Sequence, residues 1–461
     1  MKTRIAIALL LLAALASAQT APKLKMPPFT KAKLKNGVTV YLMEKHEVPL
    51  VSVAFLVKSG AVADPAGKEG VASLTASLLR KGTPTRTADQ VSEQLDFLGA
   101  TFGADASPDM SRGRAEFMKK DVGEGLDILS DLLQHPSFPE AEVTKLEAQR
   151  VDGIRAAKDR AGAVLDTYFY KYLYGSHPYG RPDGGDENSL KAITRGDVVA
   201  FHKAHYTPDN TIIAIAGDFS AAEMQKLLEA KFGGWTGKAV PAAAIPQPAA
   251  VMGKRLLLID KPDSTQTYYA IGNVGVARTN PDRVYINVVN TLFGGRFTSM
   301  INSELRIKSG LTYGARSFFD MRKVPGAFAI STYTRNATTE KAMDLTLEVA
   351  KRLHEKGITQ EELDSAKAYI KGQFPPSIET AGELANLLAT LDYYGLDERE
   401  VNELYARIDS MDLATSKRII QQYFPLANLT FVVIGKASEI EPLMKKYAEK
   451  MDKKSISQPG F

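Results

Sequence analysis

The chain has 461 residues, 44% of them hydrophobic and 24% charged, the composition of a globular protein long enough for roughly two to four domains. Its 58 basic and 53 acidic residues leave a formal charge of +5, and their even spread excludes a nucleic-acid binder built on a basic patch. Cysteine is absent, which excludes disulfides, thiolate nucleophiles, iron–sulfur clusters, Cys-based zinc sites and a lipobox anchor.

Residues 1–18 read as an export signal. Lys2 and Arg4 precede an apolar run from Ile5 to Leu15, and Ala16-Ser17-Ala18 supplies the small-residue cleavage pattern. The run is too short to span a bilayer as a helix, and no later stretch reaches the length of a membrane span. A cut after Ala18 and a periplasmic or secreted mature protein are expected, with no stable membrane insertion.

The rest of the chain divides into two weakly similar halves. Phe201-His-Lys-Ala-His-Tyr-Thr-Pro-Asp-Asn210 leads into the apolar run Thr211–Gly217, and Ile419-Ile-Gln-Gln-Tyr-Phe-Pro-Leu-Ala-Asn428 leads into Leu429–Gly435, at an offset of 218. Phe138-Pro-Glu-Ala-Glu142-Val143 resembles Ile358-Thr-Gln-Glu-Glu362-Leu363 at an offset of 220. A shared offset from independent segments indicates a duplication. The stretch 237–253, with three prolines among small residues, reads as an extended linker between domains over 28–236 and 254–450. Each half opens with β-rich sequence (Gly37–Lys58, Arg255–Gly272). Helical patterns follow, such as Ala88–Leu98 and Lys120–Leu133, and strands return, as at Ala327–Thr334. This order predicts an α+β fold: two homologous domains, each an antiparallel sheet packed with helices.

Further motifs carry a resemblance. Leu34-Lys-Asn36-Gly37-Val38, Lys68-Glu69-Gly70-Val71-Ala72, Lys81-Gly82-Thr83-Pro84-Thr85-Arg86-Thr87 and His177-Pro-Tyr-Gly180 stand in the first half. Leu292-Phe-Gly294-Gly295-Arg296-Phe297 and Leu305-Arg306-Ile-Lys-Ser-Gly310-Leu311-Thr312-Tyr313 stand in the second. Over nearly the whole mature chain the sequence resembles the pitrilysin/insulinase family of zinc metallopeptidases, close to bacterial relatives of mitochondrial processing peptidase. Active members carry His-x-x-Glu-His on a helix just before the Gly-Thr, where two histidines on one helix face hold zinc and the glutamate activates water. Alignment on Gly82-Thr83 puts Ser73 and Ser77 at the histidine positions and Ala76 at the glutamate. Gln149-Arg150 matches the family's Glu-Arg pair, which puts Ala156 at the third ligand; the neighbouring carboxylates are Glu147 and Asp152. Serine is a poor zinc ligand, and alanine can neither ligate nor accept a proton. No metal or other cofactor is therefore expected in this chain.

Other chemistries find little support. His202 and His205 have the spacing of a metal pair but no third ligand, and are read as structural or surface residues. There is no Gly-x-Ser-x-Gly elbow, and Gly294-Gly295 reads as a turn rather than a phosphate cradle. Arg306 and Tyr313, seven apart, match the family's arginine–tyrosine pair, which hydrogen-bonds the substrate backbone from the domain facing the zinc site. Arg296 is a further candidate for the same cavity. Leu98–Ser107 resembles the family's edge strand, where peptides add by β-augmentation, with Pro108 limiting further pairing. The resemblance implies a non-catalytic, substrate-binding subunit of a heterodimeric periplasmic zinc metallopeptidase. Its partner would be a homologous chain with the zinc site, and its substrates would be peptides. The alternative is a structural or assembly scaffold of the same fold.

Overall fold

The structure, a computed structural model, describes residues 24–241 and 244–461. The expected export signal lies outside the described residues. No helix among those described is long and apolar enough to cross a membrane.

Two six-stranded sheets organise the chain. The first contains β1 (Thr30–Lys33), β2 (Thr39–Glu44), β3 (Leu50–Val57), β4 (Thr101–Ala106), β5 (Ser111–Met118) and β6 (Thr211–Gly217), ordered β1-β2-β6-β3-β5-β4. The second contains β7 (Arg255–Asp260), β8 (Gln266–Val274), β9 (Ala315–Phe319), β10 (Ala327–Arg335), β11 (Thr430–Gly435) and β12 (Lys450–Ser455), ordered β12-β7-β11-β8-β10-β9. Five strands of each sheet follow one order, so the duplication is structural. Pairing is antiparallel except at β2–β6, β7–β11 and β7–β12. The sixth strand departs from the repeat. β1 comes from before the first domain's core and runs antiparallel to β2, whereas β12 comes from near the chain end and runs parallel to β7.

The repeated segments take equivalent places. Helices Arg195–His205 and Leu413–Tyr423 lead into β6 and β11, and the second repeated pair opens helices Glu140–Lys158 and Gln360–Gln373. Helix starts are fixed locally by capping boxes at Thr87/Gln90, Thr194/Asp197, Thr359/Glu362 and Thr380/Glu383, each satisfying two otherwise unpaired backbone N–H groups.

β6 and β11 are buried at every position, so each sheet needs cover on both faces. Alternation of side chains assigns the faces. Ile213 and Ile215 join Leu126, Leu129 and Leu133 of helix Val122–Gln134 in the first half's own core. Ile212 and Ala214 point the other way, onto Leu384 and Leu388 of helix Ala381–Tyr394, which belongs to the second half. The second sheet is the mirror case. Phe431 and Val433 face their own helices, while Val432 and Ile434 face Val164, Leu165 and Tyr168 of helix Ala161–Tyr174 from the first half. Each half thus lends one helix to the other.

Polar contacts fix the exchange. Asp392 on the second lent helix accepts from Lys31 Nζ at 2.6 Å and from Tyr41 Oη at 2.7 Å. Asp109, 3% exposed between β4 and β5, accepts from Tyr179 Oη at 2.6 Å and from the Lys323 backbone N–H at 2.8 Å. Its own carbonyl accepts from Tyr393 Oη at 2.9 Å. One carboxylate therefore ties the two halves together. The chain end returns as well: buried Lys158 pairs with Glu187 and donates to the carbonyls of Gln458 and Gly460.

His202 and His205 serve packing. His202 Nε2 lies 2.9 Å from the Leu133 carbonyl and donates to it, with the ring stacked on Tyr206 at 4.8 Å and edge-on to Phe138 at 5.4 Å. The His205 ring lies 4.4 Å from Phe201. Burial pushes the His202 pKa down to about 4, although its hydrogen bond to the carbonyl opposes the shift.

Asp109→Ala strands a buried phenol and a backbone N–H and should cost about 3 kcal/mol in denaturant unfolding; a loss under ~1 kcal/mol would mean that Asp109 does not tie the halves together. His202 binds its proton less readily folded than unfolded, so its stabilisation is present above its ordinary pKa of 6.5 and is lost as pH falls through about 4. The wild type should lose ~3 kcal/mol more than His202→Gln over that window. Parallel pH profiles for the two proteins would contradict it.

Candidate functional site

The helix Val71–Leu78 carries the positions aligned with the zinc motif. It starts at Gly70, whose φ of +100° is left-handed and whose added Cβ would meet the Gly184 carbonyl oxygen at 2.9 Å, so only glycine fits. The buried Asp64 carboxylate accepts the N–H groups of Gly70 at 2.6 Å and Ala72 at 3.0 Å and anchors the first turn. Its burial pushes the Asp64 pKa up to about 7, against those two hydrogen bonds.

Ser73 and Ser77 share one helix face and are half-buried, while Ala76 is 1% exposed and packs inward. Across from them stands Arg150, on helix Glu140–Lys158. Its Nη1 donates to Ser73 Oγ at 2.8 Å, and its Nη2 donates to Ser77 Oγ at 2.7 Å and to the Ser73 carbonyl at 3.1 Å. The planar guanidinium bridges two hydroxyls one turn apart. Burial holds its pKa below the ordinary value, but that value starts so high that Arg150 stays a cation. Ala156 lies exposed on the same helix and takes no part. Zinc does not fit this set: two hydroxyls are weak donors, no base stands at Ala76, and a fixed positive charge occupies the space between the serines. Among the described residues no group of three or more His, Asp or Glu side chains gathers in a ligand arrangement.

A second constellation lies in the other half, around a cavity of about 570 Å³. Two π-helical turns, Thr291–Gly295 and Ser303–Lys308, build one side of it; such turns are uncommon and re-aim side chains. Gly294 packs so close to β9 that an added Cβ would meet the Ser317 nitrogen at 2.4 Å, so the Gly-Gly pair is a packing turn. Arg306 lies on the second π turn, with its guanidinium 4.7 Å from the Phe297 ring and 4.2 Å from the Tyr313 ring. Tyr313 is 72% exposed and Phe297 60% exposed. Arg306 is therefore held by cation–π contacts on both sides while its rim stays open to solvent.

Two more arginines line the cavity. Arg296 donates to Ser365 Oγ at 3.0 Å, and Arg316 stands 3.6 Å from Asp166 of the lent helix. Burial raises the Asp166 pKa. Tyr268 and Tyr333, stacked at 5.0 Å, form a wall. Guanidinium and phenol groups all donate hydrogen bonds, which suits the carbonyls and carboxylate of a peptide. Ser73, Ser77 and Arg150 do not line this cavity. The stretch read as an edge strand contains β4, at the edge of the first sheet beside β5.

Arg150 and Phe297 were read only as motif positions without a role, and Arg316 not at all. Arg150 left a usable signal: Val143, Leu146, Arg150 and Ile154 are spaced 3, 4 and 4 apart along one helix stripe, so an arginine interrupts an otherwise apolar row. Phe297 left none, because its approach to Arg306 depends on the π-helical turn that carries Arg306, and Arg316 left none, because its partner Asp166 lies in the other half.

Comparison with known proteins agrees with the fold. Residues 39–185 match the family model described as Insulinase (Peptidase family M16), and residues 192–370 match the one described as Peptidase M16 inactive domain. An "uncharacterized zinc protease" of Rickettsia bellii is 27% identical over 414 residues, 88% of this chain and 97% of its own. The uncharacterized zinc protease YmxG of Bacillus subtilis is 23% identical over 391 residues, 85% and 94% respectively. Among solved structures, a peptidase M16 inactive domain from Pseudomonas fluorescens superposes with a TM-score of 0.83 at 25% identity, covering 88% of this chain and 98% of that one. With both family models in tandem and the fold in agreement, the chain belongs to the pitrilysin/insulinase family of peptidases, family M16.

Proposed function

We propose that this chain is the non-catalytic, substrate-binding subunit of a heterodimeric periplasmic zinc metallopeptidase. A homologous partner carries the zinc site, and this chain presents Arg306 and Tyr313 to the peptide held between them. The observation that carries the reading is the Arg150 guanidinium fixed between Ser73 and Ser77, in a chain whose Arg306 lines a cavity and stacks on the exposed Tyr313. A chain that had only lost its function would have no reason to hold that pair aligned and open, since a half-buried arginine stacked on an exposed tyrosine adds little stability. The donors of this cavity suit a peptide backbone, and export to the periplasm agrees with the signal pattern at residues 1–18.

Two outcomes check the reading. Mixed with a homologue bearing His-x-x-Glu-His, the chain should support peptide hydrolysis, and Arg306→Ala should lower kcat on the order of 10- to 100-fold with the complex intact. Unchanged turnover in that variant would favour the scaffold reading. Arg150→Ala should lose about 2 kcal/mol of stability through the two freed hydroxyls and still take up no zinc by metal analysis. Stoichiometric zinc in that variant would show that the serine helix retains a metal site.

A further inference from the structure

A second cavity, of about 480 Å³, lies in the second half and shares no lining residue with the Arg306 site. It is enclosed by helices Arg283–Asn290 and Gln360–Gln373, by β9, and by Leu387 of the lent helix Ala381–Tyr394. Most of its wall is apolar, including Val284, Phe319, Met321, Ile370, Phe374 and Leu404. Protein cores are ordinarily packed to near crystal density, so an apolar space of this size is the form of a ligand site.

One end is polar and unbalanced. Arg278 and Arg283 both line it with a single carboxylate, Glu400. Glu400 is already engaged: it pairs with Arg283 and stands 3.4 Å from Arg407 Nη1. The Arg278 backbone N–H donates to the Arg322 carbonyl, but its guanidinium has no hydrogen-bond or ion-pair partner among the described residues. Burial, with the Arg283 cation adding to it and the Glu400 carboxylate opposing it, holds the Arg278 pKa below its ordinary value. A half-buried cation without an ion-pair partner is costly, and an anion delivered into this cavity would relieve that cost.

We propose that this cavity binds a carboxylate with an apolar tail, the carboxylate paired with Arg278 and the tail lying along the apolar wall. Apart from Asn287 and Asn290, the remaining lining is apolar and carries no further cation, which disfavours a second charge, so the ligand carries one negative end. A fatty acid and the C-terminus of an apolar peptide share this chemistry.

Isothermal titration calorimetry on the full mature chain tests it, with decanoate, 1-decanol and acetyl-Leu-Leu bearing a free carboxylate as probes. Decanoate or the dipeptide should bind, and 1-decanol should bind at least about tenfold more weakly. Whichever carboxylate binds more tightly identifies the source. Arg278→Gln relieves a buried charge and should fold at least as well as the wild type. It should weaken the carboxylate about tenfold or more and leave 1-decanol unchanged. Leu404→Trp, which fills the cavity, should abolish binding of both. Absence of carboxylate binding to the wild type, or equal binding to Arg278→Gln, would overturn the assignment.

Discussion

The reciprocal loan of one helix between the halves is the constraint on which the rest of the structure depends. The central strands β6 and β11 are buried at every position, so a sheet covered on one face would leave a row of aliphatic side chains in water, at a cost of about 25 cal/mol per Å². Each half's own helices cover one face, and the helix lent by the other half covers the second. Neither half is closed without the other. Asp109 and Asp392, both accepting from residues across the boundary, set the register of this exchange. They do so through groups that would be costly to leave unpaired.

The loan also builds the cavities. Gly162 and Leu165 of the first lent helix floor the Arg306 cavity, and Asp166 beside them partners Arg316. Leu387 of the second lent helix helps wall the cavity of Arg278. The Arg306 cavity thus draws its wall from both halves, and movement of a lent helix would alter a sheet core and a cavity together.

At the degenerate zinc position, positive charge is retained in another form. A divalent ion there would need negative or lone-pair donors gathered around it. Two hydroxyls instead accept hydrogen bonds from a guanidinium that reaches in from helix Glu140–Lys158. The arginine joins the two helices with directional hydrogen bonds. The geometry accounts for structural retention of this region without its chemistry.

The sequence was informative wherever the determining interaction is local. The apolar runs of β6 and β11, the duplicated segments, and the replacement of both histidines by Ser73 and Ser77 were legible because each depends on residues close in the chain. The sixth strand of each sheet was not legible, since β1 and β12 reach equivalent edges from opposite ends of the chain and share no repeat offset. Nor was the Arg150 bridge, whose partners are 73 and 77 residues away, nor the Phe297–Arg306–Tyr313 stack, which needs the backbone turned by two π segments. By itself the sequence determined the family, the duplication and the loss of zinc ligands, because residue identity and short spacing suffice for those. Only the tertiary structure decided which helix covers which sheet, which cation stands between the serines, and where unpaired charge meets apolar space, because those depend on side chains that approach each other only after the two halves interlock.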